Sequence, residues 1–232
     1  MNISDLSQRT LENDFIFAHL KPKDRVLEVG CGNGFLTSDI RQRVAFVDSF
    51  DFSENMIDSA KSICGEKNNR FFVHSVLRSD GVKSDYDKII CVRVLINLAS
   101  VAEQMGAIRN FARWVKPGGT VILIEGYLDG FNSLNDLRHK VGLSALNPAS
   151  INFYSNLSDL RPAIDDDFEI IDTWHSGMFD VLTRVGYPLL VGADNATGPT
   201  EFHEKILPLA RALNLKEFAP YARLHGFALR RR

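Results

Sequence analysis

The nine residues Val26-Leu27-Glu28-Val29-Gly30-Cys31-Gly32-Asn33-Gly34 constrain this chain more than any other stretch. An apolar run that reads as a buried parallel strand carries an acid near its end. Three glycines at alternate positions follow, and a helical pattern opens at once with Phe35-Leu36. Glycines let the backbone turn tightly and approach a ligand at van der Waals distance, while the first N–H groups of the new helix point at the same place. The result is a nucleotide-type cradle. A plain strand-to-helix turn accounts for one glycine, not for three with an acid before them. The spacing also departs from G-x-G-x-x-G, because the third glycine comes one residue early and Phe35 stands in its slot. A nicotinamide dehydrogenase therefore fits poorly.

The rest of the chain alternates strand and helix patterns around that turn. Leu11, Phe15 and Ala18 or Leu20 predict an amphipathic helix over Ser7 to Leu20, packed on the sheet or closing over the ligand, with His19 at its surface. Lys21-Pro22-Lys23-Asp24 breaks it. After the glycines, Phe35 to Gln42 predicts a short helix and Val44 to Phe50 a second strand. Asp51 closes that strand twenty-one residues beyond Gly30, a place that suits an acid gripping a ribose diol; Asp48 is its rival. Arg70 to His74 and Tyr86 to Val92 predict strands three and four. Ligands of open α/β sheets bind at the carboxyl ends of the strands, which puts Arg93 to Asn97 beside the site. Val101, Met105, Ile108, Ala112 and Val115 form one helix face, stopped by Lys116-Pro117-Gly118-Gly119. Strand five, Thr120 to Ile124, ends in Glu125 at the same sheet edge as Glu28, Asp51 and Arg93.

From Gly126 to Tyr154 the periodicity loosens, as expected of a specificity insertion after a strand's carboxyl end. Asp165-Asp166-Asp167 reads as a solvated loop before strand six, Phe168 to Asp172. Met178 to Leu190 is ambiguous between strand and helix. Glu201 to Leu213 reads as a helix up to a break at Pro208, and Tyr221 to Leu229 as the last strand.

The glycine loop with its acid resembles the first motif of class I S-adenosylmethionine (SAM) methyltransferases, and Asp51-Phe52-Ser53-Glu54-Asn55-Met56-Ile57 resembles their second. The helix, Pro-Gly-Gly turn and strand of residues 101–124 are similar too. The resemblance implies an α/β fold with a mostly parallel, Rossmann-like sheet, helices on both faces and an antiparallel last strand between strands five and six. It implies a single methyltransferase domain, 1–232, with an N-terminal lid helix within 1–25 and cap or substrate insertions at 126–167 and 175–220. It implies SAM as cofactor, held by Glu28, Gly30, Cys31, Gly32, Asn33, Gly34, Asp51, Phe52, Met56, Ser75, Val76 and Arg93. Met56 alternatively packs in the core, and Cys31 reads as a small residue tolerated in a tight turn rather than a nucleophile. Where the family usually sets an acid against the adenine amino group, this chain has His74-Ser75-Val76-Leu77, so Ser75 or backbone groups take that place.

The Asn/Asp-Pro-Pro-aromatic tetrad of nucleic-acid amino-methyltransferases is missing from Arg93 to Asn97. Arg-Val-Leu-Ile-Asn-Leu there, with the Glu-Gly, Leu-Asn, Leu-Arg and Asn-Phe-Tyr elements further on, resembles small-molecule members from glycan or antibiotic pathways. Ile151 stands where such members lead one to expect a histidine. The resemblance thus implies methyl transfer to a small molecule, as O-methylation of a sugar or natural-product intermediate. N-methylation of a small amine and a non-catalytic SAM-binding scaffold are the alternatives. Glu125 is the candidate base or acceptor-orienting carboxylate, with Arg138, Asn152 and Tyr154 as acceptor-binding residues. The competing reading anchors a helix N-terminus on Glu125 and pairs Arg138 with it.

Composition narrows the partners. A formal charge of −2 over 232 residues recruits neither nucleic acid nor an anionic membrane. Three cysteines, Cys31, Cys64 and Cys91, lack CxxC spacing, which argues against a disulfide framework or zinc site and for a reducing compartment. No leader pattern or membrane-length apolar run is present, so a cytoplasmic protein that needs no metal is expected, and a homodimer is compatible with it.

Overall fold

The computed structural model describes residues 5–65 and 67–232. The first four residues of the expected lid segment lie outside that set. Helix α1 (Leu6–Ala18) precedes strand β1 (Arg25–Val29), and α2 (Phe35–Ile40), β2 (Phe46–Asp51), α3 (Glu54–Cys64) and β3 (Asn69–Val73) follow. Then come β4 (Tyr86–Val92), α4 (Val101–Trp114) and β5 (Val115–Gly126). The strands are Val/Ile/Phe-rich runs without polar alternation because parallel strands between helical layers are buried on both faces. Val26, Leu27, Ile89, Ile90, Val121 and Ile122 are all fully buried.

The seven strands lie in the order β3-β2-β1-β4-β5-β7-β6. Strands β1 to β5 pair in parallel, whereas β7 (Leu224–Arg231) runs antiparallel to both β5 and β6 (Phe168–His175). That is the expected class I methyltransferase sheet. Strand order reverses between β1 and β4, and ligands of such sheets sit in the crevice this reversal opens.

Several local expectations need correction. Residues Leu128–Lys140 form a regular helix, α5, rather than a loosened insertion. The Asp165-Asp166-Asp167 run is the last turn of α6 (Leu157–Asp167), not a loop. Acids are poorly placed at a helix C-terminus; here Arg161 pairs with Asp165 at 2.8 Å, and Arg232 donates to the Asp165 carbonyl. Leu160, Ala163 and Ile164 of α6 join Phe111 and Trp114 in the main core, so this part of 126–167 is scaffold rather than cap. The ambiguous stretch at 178–190 is helical: α7 (Gly177–Val181), a π turn at Leu182–Gly186 and α8 (Tyr187–Val191). The helix expected to stop at Pro208 instead breaks earlier, into α9 (Glu201–Lys205) and α10 (Leu207–Ala212), with Pro208 near the start of the second. Phe179, Ile206 and Ala210 from this segment pack on Leu11 of α1, which makes α1 and residues 175–220 one layer over the crevice.

Candidate functional site

The turn after β1 is shaped by its glycines. Gly30, Gly32 and Gly34 have φ of 69°, 54° and 79°, the left-handed region that side chains disfavour. A Cβ on Gly30 would stand 2.4 Å from Val94 Cγ2, and one on Gly34 2.9 Å from Cys64 Sγ. A Cβ on Gly32 would meet nothing within 4 Å, so that face of the turn is open. The loop is held from β2: Cys31 N donates to the Phe50 carbonyl at 2.9 Å, and Gly32 N donates to Asp51 Oδ2 at 2.9 Å.

The two candidate acids of β2 separate cleanly. Asp51 grips the glycine loop with one oxygen and accepts from Ser53 N at 3.0 Å with the other, which starts α3. Asp48 is 1% exposed and bound on all sides, by Arg25 Nη2 at 2.7 Å, Arg70 Nε at 2.6 Å and the Tyr86 hydroxyl at 2.8 Å. Asp48 ties β2 to β1, β3 and β4. Asp51 is the acid at the loop. Beyond it Phe52 and Met56 are exposed, so Met56 is not a core residue.

Glu28 is buried on β1, where it accepts from the hydroxyls of Thr37 and Ser49. Burial pushes its pKa up to about 7 against those two hydrogen bonds. Burial likewise raises the Cys31 thiol, which disfavours its thiolate.

A narrow cavity of about 40 Å³ lies between the glycine loop and α1, at the β1–β4 reversal. Glu28, Gly30, Cys31 and Asn33 line it from one side, Arg9, Glu12 and Asn13 from the helix, and Arg93 from the end of β4. Arg93 has φ 53°, a strained value for a side-chain-bearing residue, and its guanidinium meets Glu12 Oε2 at 3.2 Å. Arg9 lies over the Phe35 ring at 4.6 Å. Glu12 is 2% exposed, and burial raises its pKa against the pull of Arg93. Its Oε1 has no partner, nor does Arg93 Nε. Buried polar atoms are nearly always satisfied, so these two ask for a polar ligand.

The other predicted residues are spread around this centre. Ser75 accepts from Leu77 N at 3.3 Å and is partly exposed; Val76 is a core residue whose carbonyl is held by Asn110. Glu125 takes its structural alternative. Its oxygens accept from the N–H groups of Val94 and Leu95, each at 2.7 Å, and of Ile96 at 3.4 Å. It is 1% exposed and lines neither of the two cavities beside the sheet edge. Arg138 does not pair with it either, since its guanidinium donates to the carbonyls of Ser144 and Arg184. Asn152 donates to the Tyr154 hydroxyl at 3.3 Å, and the Tyr154 ring lies on Gly126 at the end of β5, where a Cβ would stand 2.5 Å from it.

Sequence reasoning missed Arg9 and Glu12, which line the cavity beside the glycine loop, Gln8, buried one turn before Glu12, and Arg223, whose charge acts on Glu12. Gln8 and Glu12 are one helical turn apart on α1, and a polarity pattern assigns such residues to solvent. Among the described residues, no group of three His, Cys, Asp or Glu side chains is placed to hold a metal, and no helix is long and apolar enough to cross a membrane.

Residues 26–119 match the family model described as "Methyltransferase domain". Malonyl-[acyl-carrier protein] O-methyltransferase 2 of Ilyobacter polytropus is 26% identical over 151 residues, 63% of this chain and 55% of that protein. A ubiquinone biosynthesis O-methyltransferase of Methylococcus capsulatus is 29% identical over 115 residues, 48% of this chain and 47% of that one. The chain thus spans about half the length of these curated relatives. In fold it is similar to magnesium protoporphyrin IX methyltransferase of Synechocystis, solved with bound S-adenosylhomocysteine (SAH), at TM-score 0.61 and 19% identity over 98% of this chain and 84% of that one.

Proposed function

We propose that this chain, whose residues 26–119 belong to the class I SAM-dependent methyltransferases, transfers a methyl group from SAM to a small-molecule acceptor. The observation that carries the reading is the cavity at the β1–β4 reversal, where a glycine loop and buried acids face the paired Glu12 and Arg93. The residues fit the cofactor. Asp51 at the loop offers its remaining lone pairs to a ribose diol; Phe52 and Met56 flank it with exposed apolar surface for the adenine. Glu28 and Glu12 complement the cationic part of the methionine moiety, and Arg9 and Arg93 its carboxylate. Ser75 and the backbone about Val76 stand where the adenine edge would reach.

The sulfonium supplies an already activated methyl group, so the protein need mainly hold the acceptor in line and exclude water. Helix α1 and residues 175–220 supply that cover. The relatives named above act on malonyl-[acyl-carrier protein] and in ubiquinone biosynthesis, which supports a small-molecule or carrier-bound acceptor rather than nucleic acid. O-methylation of a sugar hydroxyl would call for a base, and Glu125 is committed to the backbone of residues 94–96. Catalysis by positioning is therefore the reading we keep. Incubation with methyl-labelled SAM and a small-molecule extract, followed by mass spectrometry, should give SAH and a labelled product together. SAH binding without any labelled product would favour the non-catalytic scaffold.

A further inference from the structure

One acid in the wall of the cavity beside the glycine loop comes from the helix that covers it. Glu12 lies on α1, outside the matched residues 26–119, and is 2% exposed. Its Oε2 meets Arg93 Nη2 at 3.2 Å, while its Oε1 and the Nε of Arg93 have no partner. Among the described residues, Glu12 Oε1 is the only buried carboxylate oxygen left in that state. Glu28, across the cavity, already accepts from the hydroxyls of Thr37 and Ser49.

The other charges near Glu12 are matched in pairs. Arg93 has Glu12 itself, Arg223 has Asp180 at 2.7 Å, and Arg9 feels Asp39 as well as Glu12. Asp5, which also acts on Glu12, pairs with Arg184 at 3.3 Å. Even so, burial outweighs the pull of Arg93, Arg9 and Arg223 and raises the Glu12 pKa. The carboxylate is short of favourable contacts where it stands, and a cation at Oε1 would supply one. In SAM the sulfonium joins the ribose to the methionine chain. It therefore lies between Asp51 and the groups that hold the amino-acid end, over the glycine loop and facing α1.

From this juxtaposition we infer that Glu12 is the residue by which the chain distinguishes SAM from SAH: its free oxygen faces the sulfonium, and the contact lasts only while the sulfur carries its methyl group. The inference rests on the methyl-transfer reading above and adds a specificity residue to it. As the methyl group leaves, the C–S electron pair stays on sulfur, the sulfonium becomes a neutral thioether, and Glu12 loses its cation. The spent cofactor is then held less tightly than the fresh one. Charge at sulfur is already falling in the transition state, so the contact favours the bound donor over the transition state. Glu12 thus acts on donor affinity and product discharge rather than on the chemical step.

Calorimetric titration with SAM, SAH and sinefungin, an analogue with an ammonium group in place of the sulfonium, tests this with no acceptor present and hence no turnover. Wild-type protein should bind SAM and sinefungin about tenfold more tightly than SAH, a difference of about 1.4 kcal/mol. Glu12→Gln keeps the shape of the side chain and removes its charge. In the folded variant the two cations should fall to the affinity of SAH, while SAH itself changes by less than about twofold.

Equal losses for SAM and SAH in the variant would place Glu12 at the α-ammonium that both carry, and unchanged SAM affinity would leave Glu12 to Arg93 alone. Either result overturns the inference. Wild-type protein that binds SAH at least as tightly as SAM overturns it too, whether or not the variant folds. Folded wild-type protein that binds none of the three would end the methyl-transfer reading itself.

Discussion

Exchanging the two acids of β2 for amides should separate stability from binding. In Asp48→Asn, three hydrogen bonds to one carboxylate are at stake, from Arg25, Arg70 and Tyr86. Bonds to a charged group are worth about 1.5–3 kcal/mol each. The Arg25 and Arg70 side chains are 30% and 51% exposed, so water recovers part of their loss, and the amide oxygen of asparagine keeps one bond. What remains is about 2–4 kcal/mol, consistent with breaking a largely buried ion pair. For a chain of this length it lowers Tm by about 5–15 °C. SAH affinity of the folded fraction should not change, because Asp48 points away from the loop.

Asp51→Asn should behave in the opposite way. Its oxygens organise Gly32 and Ser53 near the surface of the loop, so stability falls by only about 1 kcal/mol, while SAH affinity drops about tenfold. Differential scanning fluorimetry gives the first quantity and isothermal titration calorimetry the second. An Asp48→Asn protein with wild-type Tm and weakened SAH binding would refute the division of roles.

Two further perturbations follow from the same geometry. Gly34→Ala combines a left-handed φ with a Cβ 2.9–3.1 Å from Cys64 and Ala60, and should cost about 2–4 kcal/mol in urea unfolding; Gly32→Ala, with open space around it, should cost about 1 kcal/mol yet weaken SAH binding more. Glu28 ionises near 4.5 in the unfolded chain and near 7 in the folded one, so between those pH values the folded state keeps a proton that the unfolded state has shed. Stability is then fully present below pH 4.5 and falls by about 3 kcal/mol as pH rises to 7. Glu28→Gln should flatten that part of the unfolding-against-pH profile, and an unchanged slope would contradict the burial argument.

What could be read from the chain was local chemistry. The glycine loop and Asp51 each need particular residue types at fixed spacing, and the structure places them at the expected positions; Lys116-Pro117-Gly118-Gly119, expected as a stop before the strand, lies inside β5, where the register against β4 shifts. The antiparallel last strand came from the resemblance, since no periodicity states which strand it joins. Long-range polar contacts were invisible. Glu125 was correctly placed at the sheet edge, but nothing in its neighbourhood in sequence shows that residues 94–96 consume it. Gln8 and Glu12 are buried although polar, because Phe179 of α7, Ile206 and, from α10, Ala210 pack on Leu11 of the same helix, a tertiary fact that overrides their polarity. The loosened periodicity after Gly126 hid the helix Leu128–Lys140; its Gly130 stands where a Cβ would come 1.7 Å from the Ala222 carbonyl oxygen.

The proposed methyl transfer requires that the cavity between the glycine loop and α1 take SAM. Isothermal titration of SAH into the protein tests it most directly, with NADH as the control. One saturable SAH site per chain, no NADH binding, and loss of affinity in Asp51→Asn at nearly unchanged Tm are the expected results. Absence of SAH binding by folded protein, or equal binding by the wild-type and Asp51→Asn proteins, would contradict it.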